Sequence, residues 1–328
     1  MVRKRVFSGI QPTGIIHLGN YVGAIKNWVR LTDEYDCIFC VVDYHAITVQ
    51  QDPAAFQEGI LRAANTLLAC GTTPERCTLF VQSHVREHTE LAWIFNCLTP
   101  IGDLERMTQF KDKSQQHREN INAGLLTYPL LQAADILLYR AQLVPVGEDQ
   151  VQHIELTRRT ARRFNSRYGE TFPEPDWLVS QTSRIMGPDG KTKMSKSLGN
   201  EIGILEAPEV IWEKLRTATT DENRIRRTDP GNPDICNLYT MHKAFSTVET
   251  VAEVDAQCRI AGIGCIDCKK MLYENMMREL APIQERALEG ERNPDYVRGV
   301  LQQGAETCRA LAGPLMQDVR ARMGLTQG

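Results

Sequence analysis

A strand, a turn bounded by glycines and the start of a helix follow one another in the stretch Val6-Phe7-Ser8-Gly9-Ile10-Gln11-Pro12-Thr13-Gly14-Ile15-Ile16-His17-Leu18-Gly19-Asn20. We predict a strand over Val6–Ile10, a turn over 14–19 and a helix over 20–31. The glycines let the backbone approach a phosphate group closely. His17 and Asn20 lie one helical turn apart at the helix start, so both side chains can donate hydrogen bonds to phosphate oxygens.

A later motif carries lysines on a loop of small residues, Lys193-Met194-Ser195-Lys196-Ser197. It follows Asp189-Gly190-Lys191, which is typical of a flexible turn. Lys193 and Lys196 can neutralise the charge of a leaving pyrophosphate. Taken alone, this motif also fits a solvated basic turn, and the first motif fits a plain strand-turn-helix corner. Together, in this order, they predict a nucleotide site.

Short apolar runs recur through the first part of the chain and predict strands at Cys37–Val42, Thr78–Gln82 and Leu143–Val146. Helices are predicted from Pro53 onward, over Glu87–Leu98, over Tyr128–Tyr139 with Pro129 in its first turn, and over 148–167. Strands that alternate with helices predict an α/β fold with a parallel sheet.

The pattern changes near residue 205. Beyond it the strand-like runs disappear, and 208–328 is mostly helical in its periodicity. We therefore expect an α/β domain over residues 1–205 and a helical domain over 206–328. The last helix, roughly 294–324, is a candidate to pack back on the first domain.

Composition excludes some classes of protein. The net charge of the 328 residues is −3, so any RNA contact must come from a local basic patch. No apolar run approaches the roughly 20 residues that span a membrane. We expect a cytoplasmic protein that makes no membrane contact.

Nine of the ten cysteines fall into two groups, and Cys308 lies outside both. The first five, expected to pack as small apolar side chains, are Cys37, Cys40, Cys70, Cys77 and Cys97. Four later ones, Cys236, Cys258, Cys265 and Cys268, end in a CxxC pair and predict a metal site. Four thiolates fit zinc or a four-iron cluster, and the pattern alone leaves both open, together with no metal.

Several further motifs carry a resemblance to a known family: Phe7-Ser8-Gly9-Ile10-Gln11-Pro12-Thr13-Gly14, Leu104-Glu105-Arg106-Met107-Thr108-Gln109-Phe110-Lys111, Gly124-Leu125-Leu126-Thr127-Tyr128-Pro129, Ala133-Ala134-Asp135-Ile136-Leu137-Leu138-Tyr139 and Val144-Pro145-Val146-Gly147-Glu148-Asp149-Gln150. With the two phosphate motifs, they closely resemble the bacterial tryptophanyl-tRNA synthetases, which are class I aminoacyl-tRNA synthetases. The resemblance covers essentially the whole chain.

The resemblance implies a Rossmann-like catalytic domain followed by a helical anticodon-binding domain. It implies activation of L-tryptophan by ATP, with Mg²⁺, and transfer of the tryptophanyl group to the 3′ end of tRNA(Trp). It also implies a homodimer. The residues implied to act in catalysis are Lys113, Lys193, Ser195 and Lys196. Those implied to bind ATP are Gln11, Thr13, Gly14, His17, Gly19, Asn20, Gly147, Asp149, Lys193, Met194 and Lys196.

The residues implied to bind tryptophan are Phe7, Gln11, His45, Tyr128, Gln132, Asp135, Val144, Val146 and Gln150. Asp135 lies on an otherwise apolar helix, so we expect its carboxylate to be buried. The resemblance makes it the acceptor for the indole N–H, and the alternative is a buried aspartate bonded to nearby backbone. Gln132 departs from the methionine that is common in the family, and His17 from a threonine.

For the late cysteines, the resemblance points to a branch of the family that binds a [4Fe–4S] cluster, with zinc as the alternative. We expect the cluster to position the helical domain for RNA binding. Candidate RNA contacts are Arg158, Arg159, Arg162, Arg163, Arg224, Arg226, Arg227, Lys269 and Lys270. For each of these basic groups the alternative is a solvated, charged outer face.

Three rival functions remain at this point. The first is a tyrosine-specific enzyme of the same class. The second is a non-catalytic iron–sulfur RNA-binding paralogue, against which the intact His17, Asn20, Lys193 and Lys196 argue. The third is another nucleotidyltransferase of the same fold, which has no need of a separate RNA-reading domain.

Overall fold

The structure, a computed structural model, describes residues 3–108, 122–179, 185–195 and 198–325. Within these ranges the strands are β1 (Arg5–Ile10), β2 (Asp36–Val41), β3 (Thr78–Val81), β4 (Leu143–Val146) and β5 (Asp176–Val179). The helices are α1 (Leu18–Asn20), α2 (Lys26–Leu31), α3 (Asp43–Ala46), α4 (Pro53–Cys70), α5 (Glu87–Leu98), α6 (Ile101–Glu105), α7 (Ala123–Leu137), α8 (Val151–Tyr168), α9 (Pro208–Thr217), α10 (Asn237–Phe245), α11 (Val248–Arg259), α12 (Cys265–Arg292) and α13 (Pro294–Met323). A π-helical turn, Tyr21–Ile25, joins α1 to α2.

The described strands form one parallel sheet in the order β3-β2-β1-β4-β5. The predicted α/β fold with a parallel sheet is therefore confirmed. Chain order runs outward in both directions from β1, so it reverses between β1 and β4. Open α/β sheets bind their ligands at such a point, outside the carboxyl ends of the strands.

The sequence misjudged two elements of the sheet domain. α7 begins at Ala123, because Asn122 caps it by accepting a hydrogen bond from the Leu125 N–H at 3.0 Å. Pro129 consequently lies inside the helix, and the prediction that it occupies the first turn was wrong. β5 was missed because its four residues begin with Asp176 and do not form a clear apolar run.

Contacts within the chain divide it into two compact units. Unit 1 comprises Met1–Thr13, Trp28–Ser180 and Asn293–Gly328, and unit 2 comprises Gly14–Asn27 and Gln181–Arg292. Unit 1 contains the sheet, and the described part of unit 2 contains α9 to α12. These units are defined by contacts, and the functional domains expected over 1–205 and 206–328 remain a prediction.

The early cysteines behave largely as expected. Cys37, Cys40, Cys70 and Cys77 are buried, but Cys97 is exposed, so the prediction for Cys97 was wrong. The apolar run that contains Cys97 is one helix, α5, and a helix turns part of its surface to solvent. Among the helices that the structure describes, none combines the length and apolar character needed to cross a membrane.

The last helix, α13, belongs to unit 1 and packs against β3. The approach is so close that a β-carbon on Gly304 would lie 2.7 Å from the carbonyl carbon of Leu79 and even nearer to its oxygen. Glycine is therefore required where this helix crosses the strand.

We predict that Gly304→Ala lowers the free energy of unfolding by about 1–3 kcal/mol, the usual cost of overpacking a well-packed core. Gly299→Ala and Gly313→Ala are matched controls in the same helix, because a β-carbon at either position meets no atom within 4 Å. Each control is expected to gain about 0.5–1 kcal/mol from helix propensity. Urea unfolding of the three variants measures this, and equal effects at all three positions would contradict the packing described.

Candidate active site

The residues predicted to bind tryptophan lie in unit 1. Phe7 in β1 and Val144 in β4 belong to strands that pair directly, with Val6 opposite Leu143. Both side chains are in the buried core, and Val146 packs against it. These apolar walls lie on the two strands between which the chain order reverses.

Asp135 brings a charge into this apolar region. It lies in α7 and only 1% of its surface is exposed, so the predicted burial is confirmed. Its Oδ1 accepts hydrogen bonds from Gln82 Nε2 at 2.7 Å and from His88 Nδ1 at 2.6 Å. Its Oδ2 accepts one from His45 Nε2 at 2.7 Å. Side chains from three other segments thus hold this carboxylate.

Asp135 remains ionised in spite of its burial. Burial by itself raises the pKa of the carboxyl group, but the charge of His45 and the hydrogen bonds from His45 and His88 outweigh it and hold the pKa well below its ordinary value. An ionised carboxylate is purely an acceptor, with about four lone-pair positions. Side chains of the described residues occupy three of these lone-pair positions. About one position, on Oδ2, is therefore left for a further hydrogen-bond donor.

Gln82 and His88 are site residues that were not predicted from the sequence. Gln82 directly follows β3, at the edge where the other site residues gather, and this position was a usable signal. Its Oε1 also accepts from the Tyr44 N–H at 3.1 Å. His88 gave no such signal, because it occupies the buried face of α5 among apolar residues. Its Nε2 lies 2.7 Å from the Tyr139 hydroxyl, which continues the buried network.

Tyr128 is also part of unit 1 and is nearly buried. Its hydroxyl lies 3.0 Å from His153 Nε2, and burial raises the pKa of the phenol to about 12. The hydroxyl is therefore neutral near pH 7, and its oxygen can accept a hydrogen bond from a cation such as an α-ammonium group.

The other predicted contacts in unit 1 are more exposed. Gln11 and Thr13 are exposed residues after the carboxyl end of β1, and Gln132 is half-buried on α7. Gly147 and Asp149 follow β4, and Gln150 Nε2 donates to Asp149 Oδ2 at 3.2 Å. Gln11, Thr13, Gly147 and Asp149 therefore follow the carboxyl ends of the adjacent strands β1 and β4, as their predicted contact with a nucleotide requires.

Gly14, His17, Gly19 and Asn20 lie in unit 2. Gly14 has a φ of 82°, a left-handed conformation that glycine adopts without strain. His17 and Asn20 form a capping box at the start of α1. His17 Nδ1 accepts from the Asn20 N–H at 3.3 Å, and Asn20 Oδ1 accepts from the His17 N–H at 3.2 Å.

The capping box fixes the tautomer of His17. Burial lowers the pKa of its imidazole; Glu201 opposes this shift and Lys193 adds to it. The ring is therefore neutral near pH 7, and Nδ1, which accepts a hydrogen bond, carries no proton. The proton lies on Nε2, which can donate to an oxyanion.

The segment from Met186 to Ser195 forms a hairpin, in which Met186 bridges to Lys193 in antiparallel fashion. At its tip, Asp189 accepts hydrogen bonds from the backbone N–H groups of Lys191 and Thr192, both at 3.2 Å. At the other end of the hairpin, Asn200 Oδ1 accepts a hydrogen bond from the Ser195 N–H at 2.8 Å. This contact of Asn200 was not predicted from the sequence.

The hairpin presents the described part of the lysine motif. Lys193 and Ser195 follow the turn, and Met194 is buried. A β-carbon on Gly19 would lie 3.7 Å from the Met194 β-carbon, so the two phosphate motifs approach each other within unit 2. Lys113 and Lys196, to which roles were predicted, lie outside the described residues.

The four late cysteines lie on separate elements of unit 2. Cys236 precedes α10, Cys258 lies near the end of α11, and Cys265 and Cys268 lie in the first turn of α12. Burial raises the pKa of the Cys268 thiol to about 12, and the charges of Cys236, Cys258 and Cys265 add to the shift. Thiol donors are chemically suited to a thiolate-bound metal. As they stand, no His, Cys, Asp or Glu side chains in the described part of the chain form a group that could hold a metal ion.

Several predicted RNA contacts have structural partners instead. Lys269 is buried and donates to the backbone carbonyls of Arg216 and Ala218 at 2.8 and 2.6 Å, so its prediction as an RNA contact was wrong. In α8, Arg162 pairs with Glu174 and Arg163 with Asp103. These ion pairs favour a charged outer face over an RNA contact.

We predict that His17 carries its proton on Nε2 and titrates below the ordinary histidine value of about 6.5. Long-range ¹H–¹⁵N correlation spectra across a pH series measure both properties. In Asn20→Ala the tautomer should persist, because Nδ1 accepts from the backbone N–H of residue 20 and not from the side chain. An Nδ1–H tautomer in the unsubstituted chain would contradict this geometry.

Comparison with known proteins identifies the family. The tRNA synthetases class I (W and Y) match residues 2–281 of the chain. The tryptophan–tRNA ligase of Deinococcus radiodurans is 55% identical and the alignment covers 98% of each chain, and that of Wolinella succinogenes is 48% identical over 99% of this chain and 100% of its own. The structure of tryptophanyl-tRNA synthetase from Campylobacter jejuni, complexed with ADP and tryptophan, is similar with a TM-score of 0.88, 34% identity, and coverage of 98% of this chain and 100% of that one. The chain therefore belongs to the class I tRNA synthetases of the tryptophan and tyrosine family.

Proposed function

We propose that this chain is a tryptophan–tRNA ligase, which forms tryptophanyl-adenylate and pyrophosphate from L-tryptophan and ATP and then transfers the tryptophanyl group to tRNA(Trp). The observation that carries this proposal is the buried Asp135 carboxylate, with its remaining acceptor position on Oδ2. The relatives from Deinococcus radiodurans and Wolinella succinogenes bear the same activity in their names.

The chemistry of Asp135 explains a preference for tryptophan. Indole is an apolar ring with a single N–H donor, which suits apolar walls such as Phe7 and Val144 and one acceptor. A side chain that lacks a suitably placed donor leaves the buried carboxylate short of a partner, and the cost of that loss rejects it. Gln82, His45 and His88 hold the carboxylate in place for this contact. We propose that Tyr128 and Gln150 bind the α-ammonium group, while Gln11 contacts the carboxylate of tryptophan and Gln132 the ring.

We propose that the phosphates of ATP are bound by His17 through Nε2–H, by the Asn20 amide, and by Lys193. These donors stabilise the negative charge that develops as the α-phosphate is attacked and pyrophosphate leaves. Gly14 and Gly19 give the phosphates close access to the backbone. Mg²⁺, when bound to the triphosphate, supplies further positive charge. The remaining proposed nucleotide contacts are Thr13, Gly147, Asp149, Met194, Ser195, Lys113 and Lys196.

Further proposals follow from the family. The helical part of the chain beyond residue 205 is proposed to read the tRNA anticodon, and the enzyme to act as a cytoplasmic homodimer. Cys236, Cys258, Cys265 and Cys268 are proposed to hold a [4Fe–4S] cluster, with zinc as the alternative. The support for this proposal is the donor chemistry, because four cysteines on neighbouring elements of unit 2 supply the thiolates that such a cluster requires.

Amino-acid-dependent exchange between ATP and pyrophosphate tests the proposed activity. We expect exchange with tryptophan alone among the twenty amino acids. Asp135→Asn should lower kcat/KM for tryptophan by about tenfold to a hundredfold, because a hydrogen bond to a charged group contributes about 1.5–3 kcal/mol. Exchange with tyrosine would overturn the role of Asp135, and no exchange at all would support a binding protein.

The matched control is Asp103→Asn. Asp103 is also a buried carboxylate of unit 1, and its partners are Arg106 and Arg163. Its loss should lower stability but leave kcat/KM for tryptophan unchanged. If both variants lower kcat/KM equally, the effect of Asp135 is one of stability and not of recognition.

Metal analysis tests the cysteine set. Protein purified without oxygen should contain iron and sulfide in a four-to-four ratio expected of the proposed cluster, with visible absorption, and Cys268→Ser should lose both. Cys97→Ser is the control, because Cys97 is exposed and outside the set. Stoichiometric zinc would select the alternative, and absence of metal, or retention of metal by Cys268→Ser, would reject the site.

A further inference from the structure

The hairpin that carries Lys193 has little support of its own. One backbone hydrogen bond, from the Gly187 N–H to the Thr192 carbonyl at 2.8 Å, and the single bridge between Met186 and Lys193 join its two arms. Two-stranded hairpins of this size are marginally stable by themselves. The placement of Lys193 therefore depends on what packs around the hairpin in unit 2.

Asn237 is one such support. It is the first residue of α10, directly after Cys236, and 8% of its surface is exposed. Its Nδ2 donates to the Gly187 carbonyl at 2.9 Å and lies 3.4 Å from the Met186 carbonyl. Its Oδ1 has no hydrogen-bond partner among the described residues. The polar contacts described for the Asn237 amide are thus made to Met186 and Gly187, at the base of the hairpin.

The segment after α9 is a second support. The Thr219 N–H donates to the Pro188 carbonyl at 2.8 Å, next to the hairpin turn. Lys269, directly after Cys268, fixes the preceding residues by donating to the carbonyls of Arg216 and Ala218. The hydroxyl of Thr220 lies 3.8 Å from Cys265 Sγ. The segment after α9 therefore contacts both the hairpin and a residue of the cysteine set, Cys265.

Three of the four cysteines are thus connected to the hairpin through a neighbouring residue. Asn237 directly follows Cys236 and Lys269 directly follows Cys268 in the chain, whereas Thr220 lies near Cys265 in space. Breaking these hydrogen bonds leaves polar groups without partners, so the segments that they join are held together. The cysteine-bearing segment and the phosphate-binding lysine are parts of one supporting network within unit 2.

Resting on the proposed function, we propose that Asn237 and Lys269 are positioning residues for adenylate formation: they hold the Lys193 hairpin against the segment that carries the four cysteines. Damage to that segment therefore impairs the activation of tryptophan itself. This differs from the expectation that the cysteine set serves RNA binding alone.

The first test is Asn237→Asp, which keeps the size of the side chain but replaces its N–H donor by an oxygen that faces two carbonyl oxygens. We expect kcat for ATP–pyrophosphate exchange to fall about tenfold, with KM for tryptophan unchanged, as expected for loss of one to two neutral hydrogen bonds. Hydrogen–deuterium exchange of the peptide that covers the hairpin should accelerate, with no change in peptides of the sheet.

The matched control is Asn275→Asp in α12. The Asn275 amide donates to Ser246 Oγ at 3.1 Å, and its described hydrogen bonds do not involve the hairpin. This control should leave kcat and hairpin exchange unchanged. Asn237→Ser, which restores a small donor, should recover part of kcat. Equal effects at Asn237 and Asn275, or an Asn237→Asp variant with normal kcat, would overturn the proposal.

Cys265→Ser tests the link to the cysteine set. We expect faster hairpin exchange and a lower kcat for adenylate formation, and not merely a defect in tRNA charging. If the variant charges tRNA poorly but forms adenylate at the normal rate, the link is absent. The hydrogen-exchange measurement needs no substrate, so its outcome separates failure of this proposal from failure of the proposed activity.

Discussion

The buried charge of Asp135 is the constraint around which unit 1 is organised. An ionised carboxylate in an apolar interior is tolerated only when donors replace the water it has lost. Here the donors come from α3, from the residue after β3 and from α5, through His45, Gln82 and His88. These segments must therefore keep their mutual positions if α7 is to carry its charge. The same bonds that make the burial possible also aim the remaining acceptor position.

This dependence explains which parts of the site could be predicted from sequence. The strands and most helices follow from local periodicity, since β1 to β4 are apolar runs that alternate with helical patterns. Asp135 stood out because it interrupts an apolar helix. His88 did not, because a histidine among apolar residues has the same local pattern whether it serves a carboxylate or only fills space. Its partner is distant in sequence, and only the folded chain shows that the two meet. Asn200 and Asn237 escaped notice for the same reason.

The start of α1, proposed to bind phosphate, illustrates how one set of hydrogen bonds can serve two purposes. The capping box between His17 and Asn20 satisfies backbone donors at the start of α1, which would otherwise lack partners. The same bond occupies Nδ1 of His17, so the proton must lie on Nε2. Burial and the nearby Lys193 keep the ring neutral, and hence this arrangement holds without a charge on the imidazole. A structural requirement of the helix thereby supplies a donor in a fixed orientation.

In unit 2, hydrogen bonds connect segments that are far apart in the sequence. If Asn237 and Lys269 connect the cysteine-bearing segment to the hairpin, the coupling must act in both directions, because linked binding equilibria are reciprocal. Whatever stabilises the arrangement of the four cysteines then favours the hairpin position that binds phosphate. Equally, a nucleotide that holds Lys193 stabilises the cysteine-bearing segment. A part of the chain far from the tryptophan-binding residues in sequence thus becomes a determinant of the first chemical step, through a short series of hydrogen bonds to backbone carbonyls.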